Sequence, residues 1–201
     1  MLSWNEYVAI YEVTKNIYNN NYIMFRGNTI NKMRQVGISV SIGTTIVSIA
    51  QYEEHLLTYF PKSPNINYSY KFTGCAMGLF VRNGIEYVCH IALDGNDSFS
   101  GYNNQNWINV QQSGHFKNIF YPSMGRTSDV LYKVCEANKN PYGATCIGII
   151  INNNCYSIVY DTIKHNMVSI EQWVLCNPYN QDLYSPNGKK ILQYSKQFKL
   201  L

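Results

Sequence analysis

A chain of 201 residues, 46% of them hydrophobic, is long enough to bury a core and is read as one domain over residues 1–201. Charged residues make up only 14%, against about 25% in an ordinary domain, and the net charge is a mild +4. The most basic region is Lys189, Lys190, Lys196 and Lys199, with no arginine-rich stripe, which argues against nucleic acid as a partner.

The opening residues, Met1 to Glu6, lack a basic n-region and an apolar h-region, so no secretory signal is expected. No apolar run approaches the ~18 residues of a membrane span, so no membrane partner is expected either. Six cysteines stand at 75, 89, 135, 146, 155 and 176, with no C-x-x-C and no zinc-finger spacing to histidine. They are expected to be mostly buried, reduced thiols.

In chain order, Ser3 with Glu6 forms a capping box, and residues 3–18 read as a helix with Trp4, Tyr7, Val8, Tyr11 and Tyr18 on one face. Tyr22 to Gln35 carries no clear period. Ile38, Val40 and Ile42 alternate as a strand, and Thr44 to Ile49 continues after Gly43. Tyr52 to Phe60 reads as a short helix or an extended edge, and Pro61 to Asn65 as a loop. Gly95 to Arg126, rich in Gly, Asn, Gln and Ser, reads as long surface loops. Asp129 to Ala137 is a short helix with Val130, Leu131 and Val134 inward. Three strands follow, at Thr145–Ile151, Cys155–Asp161 and Met167–Leu175, the first two joined by Asn152-Asn153-Asn154. A last strand covers Lys190–Phe198. The expected fold is α+β, a single domain of mostly antiparallel sheet with flanking helices, one of them N-terminal.

The most informative stretch is Ser69 to Asp94. Two β-prone runs flank Asn83-Gly84, a strong hairpin signal. With those two residues as the loop, Arg82 faces Ile85, Met77 faces His90 and Cys75 faces Ala92. Alternation then puts Cys75, Met77 and His90 on one face, with Cys75 and His90 as diagonal neighbours about 7–8 Å apart at Cα. A thiol beside an imidazole is a candidate nucleophile and base. Ser69, six residues before Cys75, shares that face if the strand is continuous, and its hydroxyl is then able to hold the imidazole. Asp94 is the alternative orienting group. Gly74, next to the thiol, removes a Cβ and allows an unusual φ. Cys75 and Cys89 point to opposite faces, which argues against a bond between them. His55, His115 and His165 lack telling neighbours.

Phe72-Thr73-Gly74-Cys75, followed by His90-Ile91, resembles the Leu-Ser-Gly-Cys motif of the bacterial toxin glutamine deamidases. These are the Burkholderia lethal factor type and the catalytic domain of the cytotoxic necrotizing factors. Phe-Thr stands here where that motif has Leu-Ser. The resemblance covers about 25 residues, together with overall size and β-rich character. It implies a sandwich-like catalytic domain in which Cys75 is the nucleophile, His90 the base and Ser69 the hydroxyl that completes the triad. Thr73 and Gly74 belong to the motif turn, whose backbone N–H groups near Gly74 and Cys75 stabilise the oxyanion. It further implies a monomeric toxin delivered to the host cytosol, with a host protein as substrate and with no metal or organic cofactor. That substrate is the DEAD-box helicase of translation initiation, or a Rho-family GTPase. The same dyad also serves cysteine proteases and transglutaminases. A β-rich binding module with Tyr- and Asn-rich loops is the non-enzymatic alternative.

Overall fold

A computed structural model describes residues 2–18, 26–30, 33–51, 57–91, 116–174 and 194–198. It is an α+β sandwich. Helix α1 (Trp4–Tyr18) begins at the expected capping box: Ser3 N donates to Glu6 Oε2 at 2.7 Å and Glu6 N to Ser3 Oγ at 3.3 Å. Of the face expected from sequence, Tyr7 and Tyr11 pack half-buried against the core. Ala9, Ile10, Val13 and Ile17 enter the core, while Trp4 is 74% exposed and stacks on Tyr7. The aliphatic 10-13-17 spacing follows the helical period, and the bulky aromatics flank that stripe.

Thirteen described strands form two sheets. Strands β1 (Arg26–Ile30), β2 (Met33–Val36), β5 (Leu57–Pro61), β7 (Ala76–Arg82), β8 (Ile85–Ile91) and β9 (Phe116–Phe120) build the first. Their order is β1-β2-β5-β8-β7-β9, antiparallel except where β2 meets β5. The second contains β3 (Ile38–Ile42), β4 (Thr45–Ile49), β6 (Ile66–Tyr70), β10 (Ala144–Ile151), β11 (Asn154–Asp161), β12 (Asn166–Val174) and β13 (Tyr194–Phe198). Its order is β13-β12-β11-β10-β6-β4-β3, with β4 and β6 parallel.

Helix α1 covers one face of the seven-stranded sheet over Ile66, Tyr68, Ile147, Ile149 and Ile158. The other face meets the six-stranded sheet across Phe72, Met77, Leu79, Val88, Cys146, Ile150 and Trp173. The strands β6, β10 and β11 are therefore buried on both faces, and β10 accordingly reads as a near-continuous apolar run. Helix α2 (Arg126–Ala137) starts three residues earlier than its sequence signal and packs Leu131 into the inter-sheet layer.

Both tight turns form as their residues dictate. Asn83 (φ 51°) and Gly84 (φ 77°) each take the positive φ of a type I′ hairpin, as do Asn152 (φ 49°) and Asn153 (φ 65°). The expected register holds at Arg82–Ile85 and Met77–His90. One reading is corrected: part of the 95–126 region is strand, because Phe116–Phe120 pairs along β7. That segment lacks alternation and gains its strand state from its neighbour. The ambiguous 52–60 region is extended from Leu57 onward and lies between β2 and β8, inside the sheet and not at its edge.

Candidate active site

The candidate residues come from both sheets. His90 lies near the end of β8 on the inward face, directly opposite Met77, and has no exposed surface. Cys75 immediately precedes β7, packs in the same inter-sheet cluster as Phe72 and Met77, and is 8% exposed. Phe72 joins the two: its ring stacks on the His90 imidazole with centroids 4.0 Å apart and an 8° tilt.

Ser69 reaches the site by a different route from the expected one. The strand is not continuous from Ser69 to Cys75. Lys71 takes a left-handed conformation (φ 63°), and the chain leaves β6 of one sheet to enter β7 of the other. Ser69 then points inward from the opposite layer, and its Oγ lies 2.8 Å from His90 Nδ1. The same hydroxyl donates to Ala50 O at 2.7 Å. A hydroxyl has one hydrogen, so Ser69 accepts from His90, which places the ring proton on Nδ1 and leaves the lone pair on Nε2. That is the tautomer a general base needs. Thr58 Oγ1 donates to His90 O at 3.3 Å and ties the backbone of the same residue to β5.

Burial pushes the His90 pKa down to about 3. The imidazole is therefore neutral at pH 7, and an imidazolium forms there only with a negative partner beside it. Sign and window follow. Between pH about 6.5, where an unfolded histidine titrates, and about 3, the unfolded chain holds a proton that the folded one does not. Stability is thus expected to fall on acidification through this window, with a limiting slope of about 1.4 kcal/mol per pH unit. Glu86, held low by Lys117 and Lys62, titrates below the ordinary carboxylate range and leaves the upper part of the window to histidine. Denaturant titrations from pH 7 to pH 5 check this, and His90→Gln is expected to flatten the slope.

Thr73 is exposed and Gly74 half-buried, so the motif turn forms the outer edge of the site. No atom lies within 4 Å of where a Gly74 Cβ would stand, and its φ is outside the left-handed region. Its contribution is open space, not the unusual φ expected from sequence. Asp94, His55 and His115 lie outside the described residues. His165 sits exposed in the β11–β12 turn, away from the site. Cys89 faces away from the inter-sheet layer, opposite Gly78, and the five described cysteines are all free thiols. Among the described residues no group of His, Cys, Asp and Glu is placed to hold a metal ion, and no helix is long and apolar enough to cross a membrane.

Two contributors escaped the sequence reading. Phe72 was part of the motif but had no role, and its stacking on His90 emerges only from the fold. Gly148, directly opposite Ser69, makes room for Phe72 and Met77. Its signal was present as a glycine interrupting an isoleucine-rich strand, which marks close approach by another group. A scan against family models and searches of curated proteins and of solved structures return no match.

Removing the Ser69 hydroxyl leaves a buried N–H and the Ala50 carbonyl without this bridge. Ser69→Ala is expected to cost about 1–3 kcal/mol of stability, the penalty for a buried donor left unmet. Differential scanning calorimetry, with circular dichroism as a fold control, measures it.

Proposed function

We propose that this chain is a cysteine-dependent protein glutamine deamidase, converting a glutamine of a host protein to glutamate with release of ammonia. The observation that carries the reading is the 2.8 Å Ser69–His90 bond, made across two sheets and oriented to leave Nε2 as a base in the layer that holds Cys75. It matches the hydroxyl–histidine–cysteine set that the motif resemblance implies.

In this reading His90 Nε2 takes the proton of Cys75 as Sγ attacks the carboxamide carbon. The C–S bond forms and the carbonyl electrons move to oxygen, facing backbone donors of the motif turn. Collapse expels ammonia, which receives the proton back from His90. Water then adds to the thioester with His90 again as base, the C–S bond breaks, and the proton returns to sulfur. Phe72 keeps the ring in plane throughout.

The narrow exposure of the thiol, 8%, favours a slender side chain over a main chain threaded through an open cleft. This supports deamidation over proteolysis. By the same resemblance the substrate is the translation-initiation DEAD-box helicase, favoured over a Rho-family GTPase by chain size and the hydroxyl at position 69. The enzyme then acts in the host cytosol.

Intact-mass measurement of both purified candidates, incubated with the protein, tests this. The expected result is an amide-to-acid mass change on the helicase with no fragments and ammonia in solution. Fragments would indicate a protease, and incorporation of an added amine a transglutaminase. No change in either protein, with Cys75 alkylated no faster than the other cysteines, would leave a binding module.

A further inference from the structure

The inward-facing row that starts at Ser69 continues across three more strands. Ser69 pairs with Gly148, Gly148 with Ser157 and Ser157 with Glu171, and directly opposed residues share a face. Glu171 is therefore a carboxylate without exposed surface in the layer between the sheets, and the chemistry proposed above does not use it. A carboxylate is tolerated in such a place only when donors meet it. One comes from the first turn of α2: Thr127 Oγ1, itself fully buried, donates to Glu171 Oε2 at 3.1 Å. The positive end of the helix dipole favours the same charge.

The anchored helix start also fixes the chain just before it. Strand β9 lies antiparallel against β7 with Phe120 opposite Met77, where the pairing ends, so Tyr121 and Pro122 leave the sheet toward the end of β7 that Cys75 precedes. Met124 N donates to Tyr121 O at 3.0 Å and closes a turn. At its front end Pro122 Cγ presses toward Gly148, 2.9 Å from the position of a Cβ there, beside Phe72 and Met77. At its rear end Gly125 (φ 65°) lies on Trp173, whose Cη2 is 3.1 Å from where a Cβ would stand. The turn thus flanks Cys75 on the side away from β8 and is pinned at both ends.

We propose that Glu171 is a positioning residue: through Thr127 it holds the Tyr121–Gly125 turn as the wall of the Cys75 site opposite His90. The inference rests on Cys75 being the reactive centre of the proposed deamidase, but not on the identity of its substrate. The wall limits access to the thiol and sets the side from which a substrate side chain enters.

Alkylation by iodoacetamide, followed cysteine by cysteine with peptide mass spectrometry, tests it. Thr127→Val keeps the shape and removes the donor. Cys75 is then expected to react about tenfold faster, the change that loss of one hydrogen bond to a charged group permits. Cys89, Cys146 and Cys155 should stay protected, and Thr127→Ser should restore the wild-type rate. Glu171→Gln, which keeps the shape and removes the charge that Thr127 meets, should shift Cys75 in the same direction, and it judges the role of Glu171 if Thr127→Val does not fold. An unchanged Cys75 rate in the folded variants, or a rise at all buried cysteines together, overturns the proposal. Ammonia release is measured in parallel. A wild type that releases none sinks the deamidase reading, while the alkylation comparison still judges the wall.

Discussion

Cys75→Ala is expected to abolish ammonia release, with a fall on the order of 10⁴-fold or more, and His90→Ala to do nearly the same. The two act as one unit in the proposed reaction, so the double variant should lose little beyond either single one. Without the thiol no acyl intermediate forms; without Nε2 nothing takes the thiol proton in a site that burial keeps apolar. Folding separates the two changes. Cys75→Ala removes one sulfur at the edge of the inter-sheet cluster and should leave the melting temperature within a few degrees of wild type. His90→Ala empties the space on which Phe72 stacks and takes the partner from Ser69, so it should also destabilise measurably. Full activity in Cys75→Ala, measured on a substrate that the wild type deamidates, ends the mechanism.

Gly148→Ala should damage stability and activity together. A Cβ at this position would stand 2.7 Å from Met77 Sδ, 2.9 Å from Phe72 Cε2 and 2.9 Å from Pro122 Cγ. Methionine can yield, but the aromatic ring and the proline have little freedom to do so. Overpacking of this kind costs about 1–3 kcal/mol, which for a chain of this size lowers the melting temperature by roughly 2–4 °C per kcal/mol. The activity effect follows from geometry. Phe72 is stacked on His90, and Pro122 presses toward Gly148 beside it, so a displaced contact moves the base or the turn that carries Pro122. A misplacement of about 1 Å is enough for a loss near 100-fold. Differential scanning calorimetry and ammonia release on the same preparation check both parts. Wild-type values in each would show that the layer yields at this point.

Asn83-Gly84 alone puts Cys75 and His90 on a common face, because a two-residue turn with both φ values positive sets the pairing of everything beside it. Parity along one strand adds Ser69 to that face. The Ser69–His90 contact exists, yet the strand does not: Lys71 breaks it, and the hydroxyl arrives from the facing sheet. A parity argument has no view of a chain that changes sheets. In α1, Tyr7 and Tyr11 reach the core while Trp4 stays exposed, because an aromatic residue is hydrophobic by composition but large enough to sit at a rim.

The Ser3–Glu6 cap, the two Asn-containing turns, the register of β7 on β8 and the strands β10 to β12 follow from residues close together in the chain, whose geometry needs no distant partner. Which layer each strand joins is set only when the two sheets close on each other. With that came the tautomer of His90, the stacking of Phe72, the room left by Gly148 and the buried carboxylate of Glu171. The reason is physical: contacts between sheets join residues at no fixed sequence separation, and are selected only when the two faces close on a shared core.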